Sequence, residues 1–66
     1  MPRIEVEGIV HTPRWDPMKQ MQDMLRYDEG EVERVDREGK KFTAIVQVRK
    51  YTPERWHSFG LRTRKV

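Results

Sequence analysis

The chain has 66 residues and no cysteine, and its side chains are 38% charged and 35% hydrophobic. Its net charge of +3 is divided unevenly, because residues 1–33 carry a net charge of −4 and residues 34–66 a net charge of +7. This length allows one domain, residues 1–66 with frayed ends, and the lack of cysteine excludes disulfides and thiolate zinc sites. Because no stretch approaches the roughly 18 apolar residues of a membrane span and the first residues lack a signal-peptide pattern, we expect a cytoplasmic protein with no membrane contact.

The first two predicted elements are a strand and a helix. Between Arg3 and His11, apolar residues alternate with polar ones, which is the period-two pattern of a half-buried strand. Asp16 followed by Pro17 is typical of a helix start, because Asp accepts hydrogen bonds from unpaired amides and Pro needs no amide donor at the first position. The helix is expected to run to about Tyr27.

One stripe of this helix is apolar and wide enough to pack on a sheet. Its members are Met18, Met21, Met24 and Leu25. Met24 lies at the edge of the stripe, and we expect it to be the most exposed methionine. Since methionine adapts to varied surfaces, Met24 is a candidate partner-binding residue.

The next two predicted elements form a hairpin, residues 31–37 and 41–51, that turns at Glu38 and Gly39. A two-residue loop would pair Val35 with Phe42. Val32 and Val35 are three residues apart, so a regular strand cannot present both on one face, and we expect a bulge. On the second arm, period-two spacing predicts a core row of Phe42, Ala44, Val46 and Val48.

Residues 52–59 have two interpretations. A four-residue hairpin turn would place Tyr51 opposite Trp56, Val48 opposite Phe59 and Val46 opposite Leu61, so that apolar residues match on the core side. Alternatively, Thr52 and Pro53 begin a short helix that contains Trp56 and Phe59. We predict the hairpin, with the helix as the alternative.

These elements predict an α+β fold, in which one amphipathic helix packs on a small, mostly antiparallel sheet of three or four strands. The chain order is strand, helix, strand, strand, and then a strand or a terminal turn.

The basic C-terminal half indicates a nucleic-acid-binding accessory protein. In the predicted register, arginines and aromatic rings share the sheet face opposite the core, the composition that binds single-stranded nucleic acid by stacking and phosphate contacts. We therefore favour single-stranded DNA or RNA as the partner. The predicted contact residues are Arg49, Lys50, Tyr51, Arg55, Trp56, Arg62, Arg64 and Lys65.

The alternative is a protein-interaction module, a small regulator or inhibitor that docks on an acidic protein surface. Compact, cysteine-free, charge-split chains resemble in a general way the accessory proteins of bacteriophages and plasmids. The segments His11–Trp15 and Tyr51–Trp56 share the order aromatic, Thr, Pro, Arg, Trp, with one insertion in the second, and we favour coincidence over a duplicated unit. If the two segments lay side by side, they would form one cluster of cations and aromatic rings, Arg14, Arg55, Trp15 and Trp56, which makes Arg14 and Trp15 further partner-binding candidates. A homodimer that pairs the acidic half with the basic half is compatible with both functions.

No sequence pattern indicates catalysis. His57 and Ser58 are neighbours, but in a strand they would point to opposite faces and could not act as a base and nucleophile pair. No second histidine follows His11 at metal-ligand spacing. We therefore expect neither an enzyme nor a cofactor or metal site.

Overall fold

The computed structural model describes residues 2–26 and 30–66. In chain order, its elements are β1 (Arg3–Ile9), α1 (Pro17–Leu25), β2 (Glu31–Glu38), β3 (Lys41–Gln47), α2 (Pro53–Ser58) and β4 (Arg62–Lys65). The strands form one sheet in the order β2-β3-β1-β4, with every neighbouring pair antiparallel. The predicted α+β arrangement is confirmed, with a second short helix added.

The predicted core faces of β1 and β3 are also confirmed. Ile4 and Val6 on β1 lie opposite Val46 and Ala44 on β3, and all four are fully buried. Buried side chains of both helices join these strand residues in a single core cluster. The opposite face of the sheet, which we call the outer face, carries Glu5, Glu7, Arg62 and Arg64 among others.

The predicted bulge lies in β2, between Val32 and Arg34. The extra residue shifts the register so that Val32 and Val35, three apart, lie opposite Val46 and Ala44 and both reach the core face. The predicted pairing of Val35 with Phe42 is wrong, because the turn lies one residue later than expected. Arg37 is the residue opposite Phe42, and Gly39 supplies a positive φ of 61°.

Helix α1 begins as predicted, with the Asp16 carboxylate accepting a hydrogen bond from the Met18 amide at 3.0 Å. The prediction that Met24 is the exposed methionine is wrong, because Met24 is buried and Met18 is exposed. The buried face runs through Pro17, Met21, Met24 and Leu25. Including Pro17 in this face rotates its centre away from Met18. The predicted end near Tyr27 lies outside the described residues.

Residues 53–58 form α2, so the predicted hairpin turn is wrong and the alternative helix is correct. Pro53 occupies the first turn with Glu54, and both residue types favour a helix N-terminus. The predicted cross-strand pairs of β3 with residues 56–61 are wrong as well. After α2 the chain pairs with β1 instead of β3, and Trp56 turns into the core, where it is 1% exposed.

Candidate nucleic-acid interface

The predicted contact residues do not lie together on one sheet face. Arg62, Arg64 and Lys65 follow one another along β4, whereas Arg49 and Lys50 are exposed in the loop after β3. Tyr51 is half-buried on the core side. Its hydroxyl is hydrogen-bonded to the Thr63 hydroxyl at 2.8 Å, and the Lys65 ammonium lies 5.8 Å from its ring centroid. These contacts fix the loop against β4.

Two other predicted contact residues take part in internal packing. Trp56 is the buried side chain of α2, so the expectation that it is exposed beside Tyr51 is wrong. Because residues 53–58 form a helix and not a hairpin turn, the Trp56 side chain faces the core. A buried indole presents no face on which a base could stack. The Arg55 guanidinium donates a hydrogen bond to the Met24 carbonyl at 3.2 Å and thereby ties α2 to α1.

The predicted partner-binding residues are also dispersed. Arg14 is exposed in the loop before α1. Trp15 is half-buried, with its ring centroid 5.4 Å from that of Phe42, so it closes the edge of the core. Met24 is buried on the core-facing side of α1. A cluster of two arginines and two tryptophans is therefore not available as an open surface.

The outer face carries alternating charges that pair across strands. Because β1 lies between β3 and β4, its carboxylates lie between cations from the basic half of the chain. Arg64 donates a hydrogen bond from Nη2 to one Glu5 oxygen at 3.3 Å, and its Nε lies 3.2 Å from the other oxygen. The Lys41 ammonium lies 2.6 Å from a Glu7 oxygen. Arg3 of β1 also pairs with Glu33 of β2, at 2.7 Å, although β3 lies between these two strands.

Two adjoining grooves run over this face beside β4. The larger has a volume of about 670 Å³ and lies at the end of the sheet where β1 ends and β4 begins. The smaller shares Glu7 and Arg62 with it and continues along β4 to Arg64. We call the pair the outer groove. It is lined by Glu5, Glu7, Gly8, Ile9, His11, Glu38, Lys40, Lys41, Gly60, Arg62, Thr63 and Arg64.

The chemistry of the outer groove combines an apolar floor with cations. Ile9 is 58% exposed, although it sits in the row of β1 that otherwise carries charged residues. The side chains of Lys41 and Arg64 are held by glutamates, whereas the side chains of Lys40 and Arg62 form no salt bridge or hydrogen bond to any residue in the described part of the chain. Among its lysine, arginine and glutamate side chains, the outer groove has four cations and three carboxylates.

The Glu7–Lys41 pair sets the electrostatics at the centre of the outer groove. The hydrogen bond from Lys41, and then its charge, lower the pKa of Glu7, while Arg62 and Arg64 act more weakly in the same direction. Reciprocally, the hydrogen bond to Glu7 raises the pKa of Lys41. Both groups are therefore ionised at neutral pH, and the Lys41 ammonium lies against the Glu7 carboxylate in the groove.

Of the residues predicted from sequence to contact nucleic acid, the outer groove gathers only Arg62 and Arg64. Sequence reasoning missed Ile9, Lys40 and Lys41. The sequence does indicate that Ile9 is unusual, because it is an apolar residue on the same strand face as the charged residues Glu5 and Glu7. No comparable signal marked the lysines, since their approach to β4 depends on which strands are neighbours.

The chain has no match among protein-family models, curated proteins or solved structures. In the described residues, no group of three or more histidine, aspartate or glutamate side chains is placed to hold a metal ion. Neither helix described is long and apolar enough to cross a membrane.

Proposed function

We propose that the protein binds single-stranded nucleic acid, DNA or RNA, in the outer groove. The observation that carries the proposal is the combination of exposed Ile9 with the unpaired cations Lys40 and Arg62 in one groove. A single strand presents phosphates at regular intervals together with unpaired bases, so it matches a groove that offers both cations and apolar surface.

The cations of the outer groove have distinct roles in this proposal. Lys40 and Arg62 contact phosphates directly, because neither has to give up a carboxylate partner. Lys41 and Arg64 are held in place by Glu7 and Glu5 and contribute less binding energy, since a phosphate would compete with an existing ion pair. The carboxylates also reduce indiscriminate attraction to polyanions. We therefore expect modest, salt-sensitive affinity.

This assignment moves the centre of the predicted interface. Arg49, Lys50 and Lys65 lie at the other end of the sheet, where β3 and β4 end. Their contact with nucleic acid remains a prediction from the sequence, and a short strand confined to the outer groove does not reach them. We place the activity in the cytoplasm, which suits a chain without cysteine.

Titration of labelled single-stranded and duplex oligonucleotides at about 50 to 200 mM salt tests the proposal. Neutralisation of two to four phosphates predicts that log K falls against log salt with a slope of about −1.4 to −2.8 for single strands. The duplex should bind more weakly. Unchanged anisotropy with micromolar single-stranded oligonucleotide at the lowest salt would refute the function.

Paired substitutions locate the site. The double variant Lys40→Gln, Arg62→Gln should reduce the magnitude of the salt slope by about 1.4, because two phosphate contacts are lost. The matched control Lys50→Gln, Lys65→Gln removes the same charge at the other end of the sheet and should leave the slope unchanged. An equal loss in both variants would mean that net charge, and not the outer groove, attracts the oligonucleotide.

A second candidate function, docking on an acidic protein surface, is favoured by the ion pairs of the outer face. Alternating, paired charges are more typical of a protein interface than of a continuous positive surface that follows a nucleic-acid backbone. Poly-glutamate of the same charge as the oligonucleotide distinguishes the two functions. Equal affinity for both polymers would favour the acidic protein partner.

The case for a homodimer is weakened, because the acidic and basic halves already pair within one chain through Glu5–Arg64 and Glu7–Lys41.

A further inference from the structure

Phe59 is an exposed aromatic residue at a rigid position. Its side chain is 58% exposed, whereas the other aromatic residues that the structure describes are buried or half-buried. Sequence reasoning placed it in the core, opposite Val48. The correction leaves an aromatic ring in solvent with no packing role to explain it.

The backbone around Phe59 is held on both sides. The Phe59 amide donates to the Trp56 carbonyl at 3.1 Å, and the Leu61 amide donates to the same carbonyl at 3.2 Å. Between them Gly60 adopts a φ of +78°, which turns the chain sharply at the end of α2. Trp56 and Leu61 are both buried, so the ring projects from a turn that is anchored before and after it.

This turn lies beside the outer groove. Gly60, the next residue, lines the groove together with Ile9 and Arg62. Phe59 itself does not line the groove, but it immediately precedes Gly60 in the chain, and β4 with its cations begins two residues after Gly60. An exposed aromatic ring one residue away from a groove that carries cations allows a base to stack while its phosphates are held.

We propose that Phe59 is the stacking platform for one unpaired base of the strand bound in the outer groove. The inference rests on the proposed nucleic-acid function and deepens it, because it makes binding depend on the bases as well as the phosphates. Stacking on a phenyl ring requires an accessible base face but no particular hydrogen-bonding edge. Phe59 therefore sets a preference for single strands over duplexes without selecting a sequence.

Comparison of a base-bearing oligonucleotide with an abasic one isolates this contribution. Both ligands have the same length, about 12 nucleotides, and the same phosphate count. The protein should bind the base-bearing strand about 5- to 150-fold more tightly, the range expected for one stacked base. Phe59→Ala should reduce this ratio several-fold at an unchanged salt slope and leave only the smaller preference that Ile9 contributes, while Phe59→Trp should keep or increase the ratio.

The control is Val66→Ala, a truncation at a residue that is also exposed but lies at the far end of β4. It should leave the ratio unaltered, and circular dichroism should show native spectra for every variant. Equal affinity of the unmodified protein for both strands would overturn the role of Phe59 while leaving phosphate binding intact. Failure to bind either strand would overturn the proposed function and this inference together. An equal loss for both ligands in Phe59→Ala would also overturn the inference, because stacking acts only on the base-bearing strand.

Discussion

Trp56→Ala is expected to destabilise the fold severely. Trp56 is 1% exposed and is the buried residue of α2, a helix of six residues. A helix this short is not stable by itself, so its attachment depends on this side chain. Truncation of a buried Trp to Ala typically costs about 3 to 5 kcal/mol, and the loss of α2 packing places this case near the upper end.

The size of the domain makes this loss decisive. For 66 residues, the free energy of unfolding expected at 0.05 to 0.15 kcal/mol per residue is about 3 to 10 kcal/mol. Each 1 kcal/mol corresponds to about 4 to 8 °C in Tm for a domain of this size. Trp56→Ala should therefore lower the Tm by at least about 12 °C, and it unfolds the protein outright if the starting stability is low.

Thermal and urea unfolding followed by circular dichroism measures the effect. The matched control is Phe59→Ala, which removes an aromatic ring three residues along the chain but at an exposed position. It should shift the Tm by less than about 4 °C. If Trp56→Ala does not fold, the smaller change Trp56→Phe should still lower the urea midpoint below that of Phe59→Ala. Equal midpoints for the Trp56 and Phe59 variants would refute the inward orientation of Trp56.

Two further predictions concern β1. Gly8→Ala should cost about 1 to 3 kcal/mol and lower the urea midpoint, because the added Cβ would lie 2.6 Å from Leu61 and 2.7 Å from the Phe42 ring; an unchanged midpoint would contradict this close packing. The Glu7 side chain should titrate below its ordinary pKa of 4.5, and Lys41→Met should move the midpoint, followed by NMR, back up towards 4.5. Since the folded pKa is lowered, the stabilisation is present above pH 4.5 and is lost as the pH falls through the folded value.

The control for the titration is Lys40→Met, which removes the neighbouring charge but not the hydrogen bond and should leave the Glu7 midpoint nearly unchanged. At high pH the sign reverses. The folded pKa of Lys41 is raised above its ordinary 10.5, so its stabilisation is complete below that pH and is lost as the pH rises through the folded value. A Glu7 midpoint at 4.5 in the unmodified protein would show that the ion pair does not persist in solution.

Local sequence patterns predicted the elements well where one periodicity dominates. The faces of β1 and β3 follow from strict alternation, and the bulge follows from the spacing of Val32 and Val35. The segment around Trp56 was wrong because both a hairpin and a helix satisfied the local pattern. Only the tertiary structure decided between them, since β4 pairs with β1 and the Trp56 indole is buried in the core.

The candidate site was less predictable for a topological reason. Charge segregation along the sequence suggested a basic surface, but β1 from the acidic half lies between β3 and β4 from the basic half. Neighbouring strands therefore neutralise each other, as in Glu5–Arg64 and Glu7–Lys41. The unpaired cations of the outer groove are those near the strand ends, Lys40 and Arg62. Sequence counts cannot identify them, because the pairing depends on strand order.

The arginines of β4 have a second physical role that bears on the binding experiments. β4 is an edge strand of four residues, and charged side chains on a short edge oppose pairing with another chain. The opposite edge, β2, carries a bulge that has the same effect. Neutralising Arg62 removes a phosphate contact and also weakens this protection of the edge. If the Arg62 variant loses oligonucleotide binding, the loss supports the outer groove only where sedimentation shows the same oligomeric state as for the unmodified protein. Edge-to-edge pairing of two chains along β4 would by itself cover the groove and block binding.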